Sequence, residues 1–266
     1  MTTPLSNQWL NNPQASARQA LSCLDLTSLN TADTEADIAT LCQRAQGPFG
    51  PVAAVCVWPR LAAFARAQLP TPIAVAAVAN FPHGHADIDA AVRDTAKIVQ
   101  AGAQEVDLVL PYRSLLAGDE RAVSQLLNAV RQACPGLLLK VILETGELKT
   151  SELIGRACQI SLDAGADFLK TSTGKTPVSA TLEAARLMLS AIAANPAARN
   201  REGFKAAGGI RTVSEAATYL ALVQELLGPD ALTPQRFRIG ASSLLSDIEV
   251  VLAGASSPGA SLTGNY

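Results

Sequence analysis

The chain has 266 residues, 48% of them hydrophobic, which is enough for one sizeable core and close to the usual length of a single eight-stranded α/β barrel. Its 21 basic and 23 acidic residues leave no broad field for nucleic acid or an anionic membrane, so any anionic ligand is small. The five cysteines, Cys23, Cys42, Cys56, Cys134 and Cys158, form no CxxC pair and read as reduced thiols of a cytoplasmic protein.

The amino-terminal MTTPLSNQWL has neither a basic start nor an apolar core, so no export signal is expected. No apolar run approaches the ~18 residues of a membrane span. From there, eight short strand-like runs alternate with helix-like segments, the pattern of parallel βαβ units. In chain order the predicted strands are Cys23 to Leu26, Pro51 to Val57, Ile73 to Ala79, Glu105 to Leu110, Leu137 to Leu143, Phe168 to Thr171, Gly203 to Ala206 and Phe237 to Ala241. Eight is the number that closes a (β/α)8 TIM barrel, with residues 1–266 as one catalytic domain. An open, doubly wound sheet shares the alternation, although no GxGxxG follows the first run.

Capping residues mark the helix starts. Asp87 precedes the Ile88, Ala91, Val92 face, Ser151 precedes Leu153, Ile154 and Ala157, and Thr212 stands three before Glu215. Gly102 and Gly165 close two helices in the related contexts AGAQEVD and AGADFLK. Asp107 and Lys170 each follow their closing glycine by the same spacing, so they are expected to point the same way, on strands 4 and 6, into one cavity. The last segment, Ala253 to Tyr266, is rich in Gly, Ser and Ala without apolar periodicity and is expected to be mobile.

Two stretches, FLKTSTGK and GFKAAGGIR, put Lys170 and Lys205 in strands that must bury at least one face. A lysine there is costly unless its charge is used or lost in a site. An amine that attacks a carbonyl at neutral pH needs its pKa lowered by ~3 units, about 4 kcal/mol. A second ammonium ~6 to 7 Å away in an effective dielectric of ~20 supplies roughly 2.5 kcal/mol of this, and burial the rest. Lys170 and Lys205 therefore fit a Schiff-base lysine with a cationic neighbour, and Asp107, in the apolar run EVDLVLP, fits a proton shuttle. A simple salt bridge is the alternative reading of that aspartate.

Gly174, Gly208, Gly209 and Gly240, with Ser242 and Ser243, follow strands 6, 7 and 8, where barrels offer backbone N–H groups to phosphate; Lys175 adds a point charge. Any one of these glycines also suits a tight turn. His83 and His85 in FPHGH lack a third ligand at metal spacing and are read as ordering the mouth by hydrogen bonds, with His83 near substrate. The tail ends in Tyr266, whose phenol is able to fold over a barrel mouth and assist proton transfer.

These residues resemble the deoxyribose-phosphate aldolase family through LDLTSL, AAVCVWPR, NFPHG, EVDLVLPYR, KVILETGEL, FLKTSTGK, FKAAGGIR and GASSLL. The resemblance implies a (β/α)8 barrel that reversibly cleaves 2-deoxyribose 5-phosphate to acetaldehyde and glyceraldehyde 3-phosphate, in deoxyribose phosphate catabolism. It makes Lys170 the Schiff-base lysine, Lys205 its perturbing neighbour and Asp107 the proton-relay acid. Lys175, Gly208, Gly209, Ser242 and Ser243 match the phosphate-binding positions, Thr173 and Gly174 lie in the same substrate-binding stretch, and Asp25 and Thr27 fall where the family lines its pocket. It further implies a homodimer or other homo-oligomer with no metal or organic cofactor. One departure is Ala206, where the family often has proline, so the approach to Gly208 and Gly209 is expected to be less stiff. A barrel aldolase for another donor, a metal-dependent aldolase and a non-catalytic sugar-phosphate sensor remain open at this point.

Overall fold

A computed structural model describes residues 7–254. Its eight strands are β1 (Leu24–Thr27), β2 (Ala54–Val57), β3 (Ala74–Ala79), β4 (Glu105–Val109), β5 (Leu138–Ile142), β6 (Phe168–Lys170), β7 (Gly203–Ala207) and β8 (Phe237–Ala241). Each pairs in parallel with the next, and β8 pairs with β1, which closes the barrel and removes the open-sheet alternative. Five of the strands, β2 to β6, are trimmed at one or both ends relative to the predicted runs, β1 and β7 end one residue beyond them, and β8 coincides. At β2 the run began at Pro51, which has no N–H to give a ladder.

The helices outside the barrel start on side-chain caps. The Thr212 and Glu215 side chains each accept from the other's backbone N–H, and the Asp87 carboxylate accepts from Ala90 N–H. The helix predicted from Ser151 is instead capped by Thr150, whose hydroxyl accepts from Leu153 N–H at 3.2 Å. Either hydroxyl residue is able to cap, and only the backbone decides which one does. Gly102 and Gly165 hold positive φ just beyond two helices, as their echo predicts.

Strand residues that point outward, such as Val106, Leu108, Leu139, Val141, Leu169 and Phe204, join the helices in the main apolar core. The inward side differs sharply. A small apolar cluster of Leu29, Cys56, Ala76 and Val78 occupies the β2–β3 side. Elsewhere the interior holds ions: Asp25, Glu105, Asp107, Lys140, Lys170, Lys205 and Arg238 are all buried. Register puts them on one face, because Asp107 pairs with Lys140, Lys170 with Lys205 and Lys205 with Arg238. The charges thus form a column along the barrel axis, from Glu105 and Arg238 near the strand starts to Lys170 at the end of β6.

Candidate active site

Lys170 stands at the top of this column. Its Nζ is 2.7 Å from Asp107 Oδ2, and the same oxygen is 2.7 Å from Lys205 Nζ, so the two nitrogens are at most twice that distance apart. This is closer than the ~6 to 7 Å used above for the repulsion between the two amines, and it arises because Lys170 and Lys205 are direct register partners that share one carboxylate oxygen. Lys205 also reaches Asp25 Oδ2 at 2.5 Å. Lys140 reaches Glu105 Oε2 at 2.5 Å, Asp107 Oδ1 at 2.9 Å and Asp25 Oδ2 at 3.7 Å. Arg238 bridges Asp25 and Glu105.

Four cations therefore face three carboxylates. A buried surplus charge is expensive, and the amine with the least compensation is the one that loses its proton. Lys170 meets one carboxylate, whereas Lys205 and Arg238 each meet two and Lys140 meets three. Burial first, and then the Lys205 ammonium, push the Lys170 amine below the ordinary lysine value, against the pull of Asp107. Burial opposes charge on Lys205 as well, but Asp107 and Asp25 outweigh it and hold that lysine protonated. Asp107 is kept ionised, against its burial, by Lys140, Lys170 and Lys205. Asp25 is kept ionised by Lys205, Arg238 and Lys140.

Above Lys170 a cavity of about 360 Å³ opens at the C-terminal ends of the strands. Thr27, Thr173, Gly174, Lys175, Gly208, Gly209, Ser242 and Ser243 all line it together with Lys170. Gly174, Gly208 and Gly209 have positive φ, so their loops turn where a side chain would strain them. Ser243 stands at the start of the helix Leu244–Leu252, which aims backbone N–H groups at the mouth. Lys175 Nζ donates to the Leu29 carbonyl at 2.9 Å, which ties the loop after β6 to the loop after β1.

Asp25 does not line this mouth. It lies beneath, fully buried between Lys205 and Arg238, so its place is in the ionic column rather than the pocket wall. Ala206 is buried in β7 and paired with Ile239. The two histidines order their loop through main-chain groups: Asn80 clasps the backbone N–H and carbonyl of His85, and the His83 carbonyl accepts from Arg113. Neither ring borders the mouth cavity. Among the described residues no group of three or more His, Cys, Asp or Glu is placed to hold a metal ion. Tyr266 and all but the first two residues of the predicted tail lie outside the described residues.

Sequence reasoning passed over four buried charges. Lys140 interrupts LLLKVIL, Arg238 is the second residue of FRIGA, and Glu105 precedes Asp107 by the two residues that keep a strand face. The burial cost that singled out Lys170 applies equally to these three. Glu144 is the fourth; its carboxylate accepts from the Thr173 hydroxyl at 2.5 Å and from Thr176 Oγ1 at 3.2 Å, and so anchors the loop that carries Gly174 and Lys175.

Comparison with known proteins gives this geometry a family. The model of the DeoC/LacD family aldolases matches residues 19–249. A deoxyribose-phosphate aldolase from Agrobacterium fabrum (strain C58) is 50% identical over 248 residues, covering 92% of this chain and 95% of that protein. A crystal structure of a candidate deoxyribose-phosphate aldolase from Toxoplasma gondii ME49 superposes with a TM-score of 0.83 at 26% identity, covering 92% of this chain and 97% of the other. One from Coccidioides immitis gives 0.76 at 28% identity, with 94% and 100% covered. A closed barrel with an ion-lined interior and an open mouth, matched over nearly its whole described length, thus belongs to the DeoC/LacD aldolase family and is an enzyme of the deoxyribose-phosphate aldolase kind.

Proposed function

We propose that the protein reversibly cleaves 2-deoxyribose 5-phosphate to acetaldehyde and glyceraldehyde 3-phosphate through an imine at Lys170. The observation that carries this reading is the surplus cation. Lys170 is the least compensated amine of the column and the only one of its lysines that borders the mouth cavity.

The neutral Lys170 amine adds to the C1 aldehyde of the open-chain sugar, and the carbinolamine loses water to give an iminium. That iminium accepts the electron pair of the C2–C3 bond as it breaks and the C3 hydroxyl gives up its proton. Glyceraldehyde 3-phosphate leaves, a proton adds to C2 of the enamine, and water returns to release acetaldehyde and the free amine. Asp107, in contact with both lysines, is placed to carry protons by way of a water, and Lys205 stays protonated beside it. The phosphate sits against Gly174, Gly208, Gly209, Ser242, Ser243 and Lys175, where main-chain donors and one ammonium converge. Thr27 and Thr173 border the sugar.

We place the enzyme in the cytoplasm, which suits five buried free cysteines, and assign it a homo-oligomeric state from the family resemblance. No helix among the described residues is long and apolar enough to cross a membrane. Incubation with 2-deoxyribose 5-phosphate tests the activity. Acetaldehyde and glyceraldehyde 3-phosphate are expected in equal amounts, before and after treatment with a chelator. Absence of acetaldehyde, or loss of turnover with the chelator, contradicts the reading.

A further inference from the structure

The ionic column has a closed end as well as an open one. Glu105 opens β4 and Arg238 stands second in β8, and both border a second cavity of about 700 Å³ at the strand starts, opposite the mouth. Arg238 Nη1 donates to Asp25 Oδ1 at 2.5 Å and to Glu105 Oε2 at 3.2 Å, Nη2 donates to Glu105 Oε1 at 2.7 Å, and Nε donates to the Pro234 carbonyl. The guanidinium also lies 5.8 Å from the centre of the Phe168 ring, two residues before Lys170 on the same strand. A guanidinium does not give up its proton in a protein. Arg238 is therefore a permanent charge held far from the reacting carbon.

Lys170 faces Asp107 from β4, Lys205 from β7 and the Cys56 thiol from β2, with Glu144 at the end of β5 and Lys140, Asp25, Glu105 and Arg238 further down. Burial pushes the Cys56 thiol up to about 11, so it adds no charge at neutral pH. Burial raises the Glu144 carboxyl above its ordinary value, while the hydrogen bonds from Thr173 and Thr176 and the charge of Lys170 hold it down; its bonded partners are those two threonines, outside the ion-paired column. Lys175 and Arg211 border the same mouth, with Lys175 turned to the Leu29 carbonyl. Within the ion-paired column the balance is four cations against three carboxylates, and Arg238 is the one of the four that cannot give up its proton.

We propose that Arg238, with its partner Glu105, is a positioning residue of the reaction: a fixed charge at the closed end satisfies Asp25 and leaves Lys170 as the surplus amine that stands unprotonated at the mouth. This rests on Lys170 being the imine-forming residue. Without Arg238 three cations would meet three carboxylates, and Lys170 would keep its proton. Without Glu105 the surplus would grow, and without both it would return to its original size.

The test is the rate at which acetaldehyde and cyanoborohydride ethylate Lys170, followed by peptide mass mapping across about pH 5 to 9, a range below the ordinary lysine value of about 10.4. Arg238→Met is expected to raise the midpoint of that titration by about one unit or more, and Glu105→Gln to lower it, while Arg238→Lys and the double variant Arg238→Met/Glu105→Gln stay near the native value. Circular dichroism checks folding. If Arg238→Met does not fold, Glu105→Gln decides, and a midpoint that is unmoved or raised overturns the proposal. Coincident midpoints in native protein and Arg238→Met overturn it as well. A label that never appears on Lys170 instead overturns the assignment of the imine, a different and distinguishable failure.

Discussion

Lys170 and Lys205 are the same residue type, paired side by side and both bound to one oxygen of Asp107, yet their surroundings shift the two amines in opposite directions, Lys170 down and Lys205 up. The difference is Asp25, which Lys205 reaches and Lys170 does not. At ~5 Å in an effective dielectric of ~20, two ammoniums repel by about 3 kcal/mol, worth about two pKa units. Lys205→Leu removes this repulsion and the surplus together. Because the neutral amine is the reactive form, the rising limb of the pH–rate profile should move up by about one to two units and neutral-pH activity should fall about 10- to 100-fold. A limb that stays in place removes Lys205 from the role. Asp107→Asn leaves three lysines short of a carboxylate; a loss of about 3 to 5 kcal/mol in stability and at least a hundredfold in turnover is expected, checked by urea melts and product assay. Lys170, Lys205 and Asp107 were legible in sequence because glycines or an apolar run set them off. Lys140, Arg238 and Glu105 stand in apolar runs too, but no glycine-rich turn follows them directly, and the register is what shows that they face inward beside Asp107 and Lys205.

The ends of β6 and β7 are held to each other where their loops begin. Thr171 Oγ1 donates to the Ala207 carbonyl at 3.1 Å and accepts from Ala207 N–H at 3.0 Å, stapling the ends of β6 and β7. Gly208 has φ of +88°, and a Cβ there would stand 2.6 Å from Ser179. Gly208→Ala should therefore strain the mouth, raising KM for 2-deoxyribose 5-phosphate about tenfold or more with little change in the rate of Lys170 ethylation by acetaldehyde. Equal losses in both would place the anion elsewhere. Ser242→Glu should repel the phosphate and favour unphosphorylated 2-deoxyribose over 2-deoxyribose 5-phosphate in kcat/KM. A uniform loss on both substrates argues against an anion site at Ser242. At this scale the sequence showed the glycine clusters and all eight strands. It did not show Glu144, whose side chain fixes the loop after β6, because that carboxylate sits in a left-handed turn at φ of 56°, just after β5. Nothing local announces its partner Thr173, 29 residues on.

At the scale of the molecule, an interior that most barrels fill with branched apolar side chains is here largely ionic. Stability should then depend on acid in a definite direction. Asp25 and Asp107 have folded-state pKa values below their unfolded ones, so the unfolded chain binds more protons in between. Their contribution is present above the unfolded value of about 4 and is lost as pH falls below it. Lys170 also favours unfolding as pH falls, but higher up, below the ordinary lysine value, since its folded value is depressed. Urea melts should show stability falling steeply from about pH 5 to pH 3, and a flat profile there would contradict the ionised column. The alternation of strands and helices announced a barrel-sized α/β fold, but closure was not legible. It depends on β8 pairing with β1, a contact between the two ends of the chain that no periodicity encodes.

One amine, Lys170, made reactive by an uncompensated buried charge, is proposed to carry the chemistry. Acetaldehyde with borohydride, followed by digestion and peptide mass mapping, tests it most directly. Inactivation is expected with a single ethyl group on the peptide that holds Lys170, and none in Lys170→Arg, whose guanidinium forms no imine at neutral pH. A label on Lys205, Lys140 or Lys175 instead, or full activity in Lys170→Arg, would contradict it.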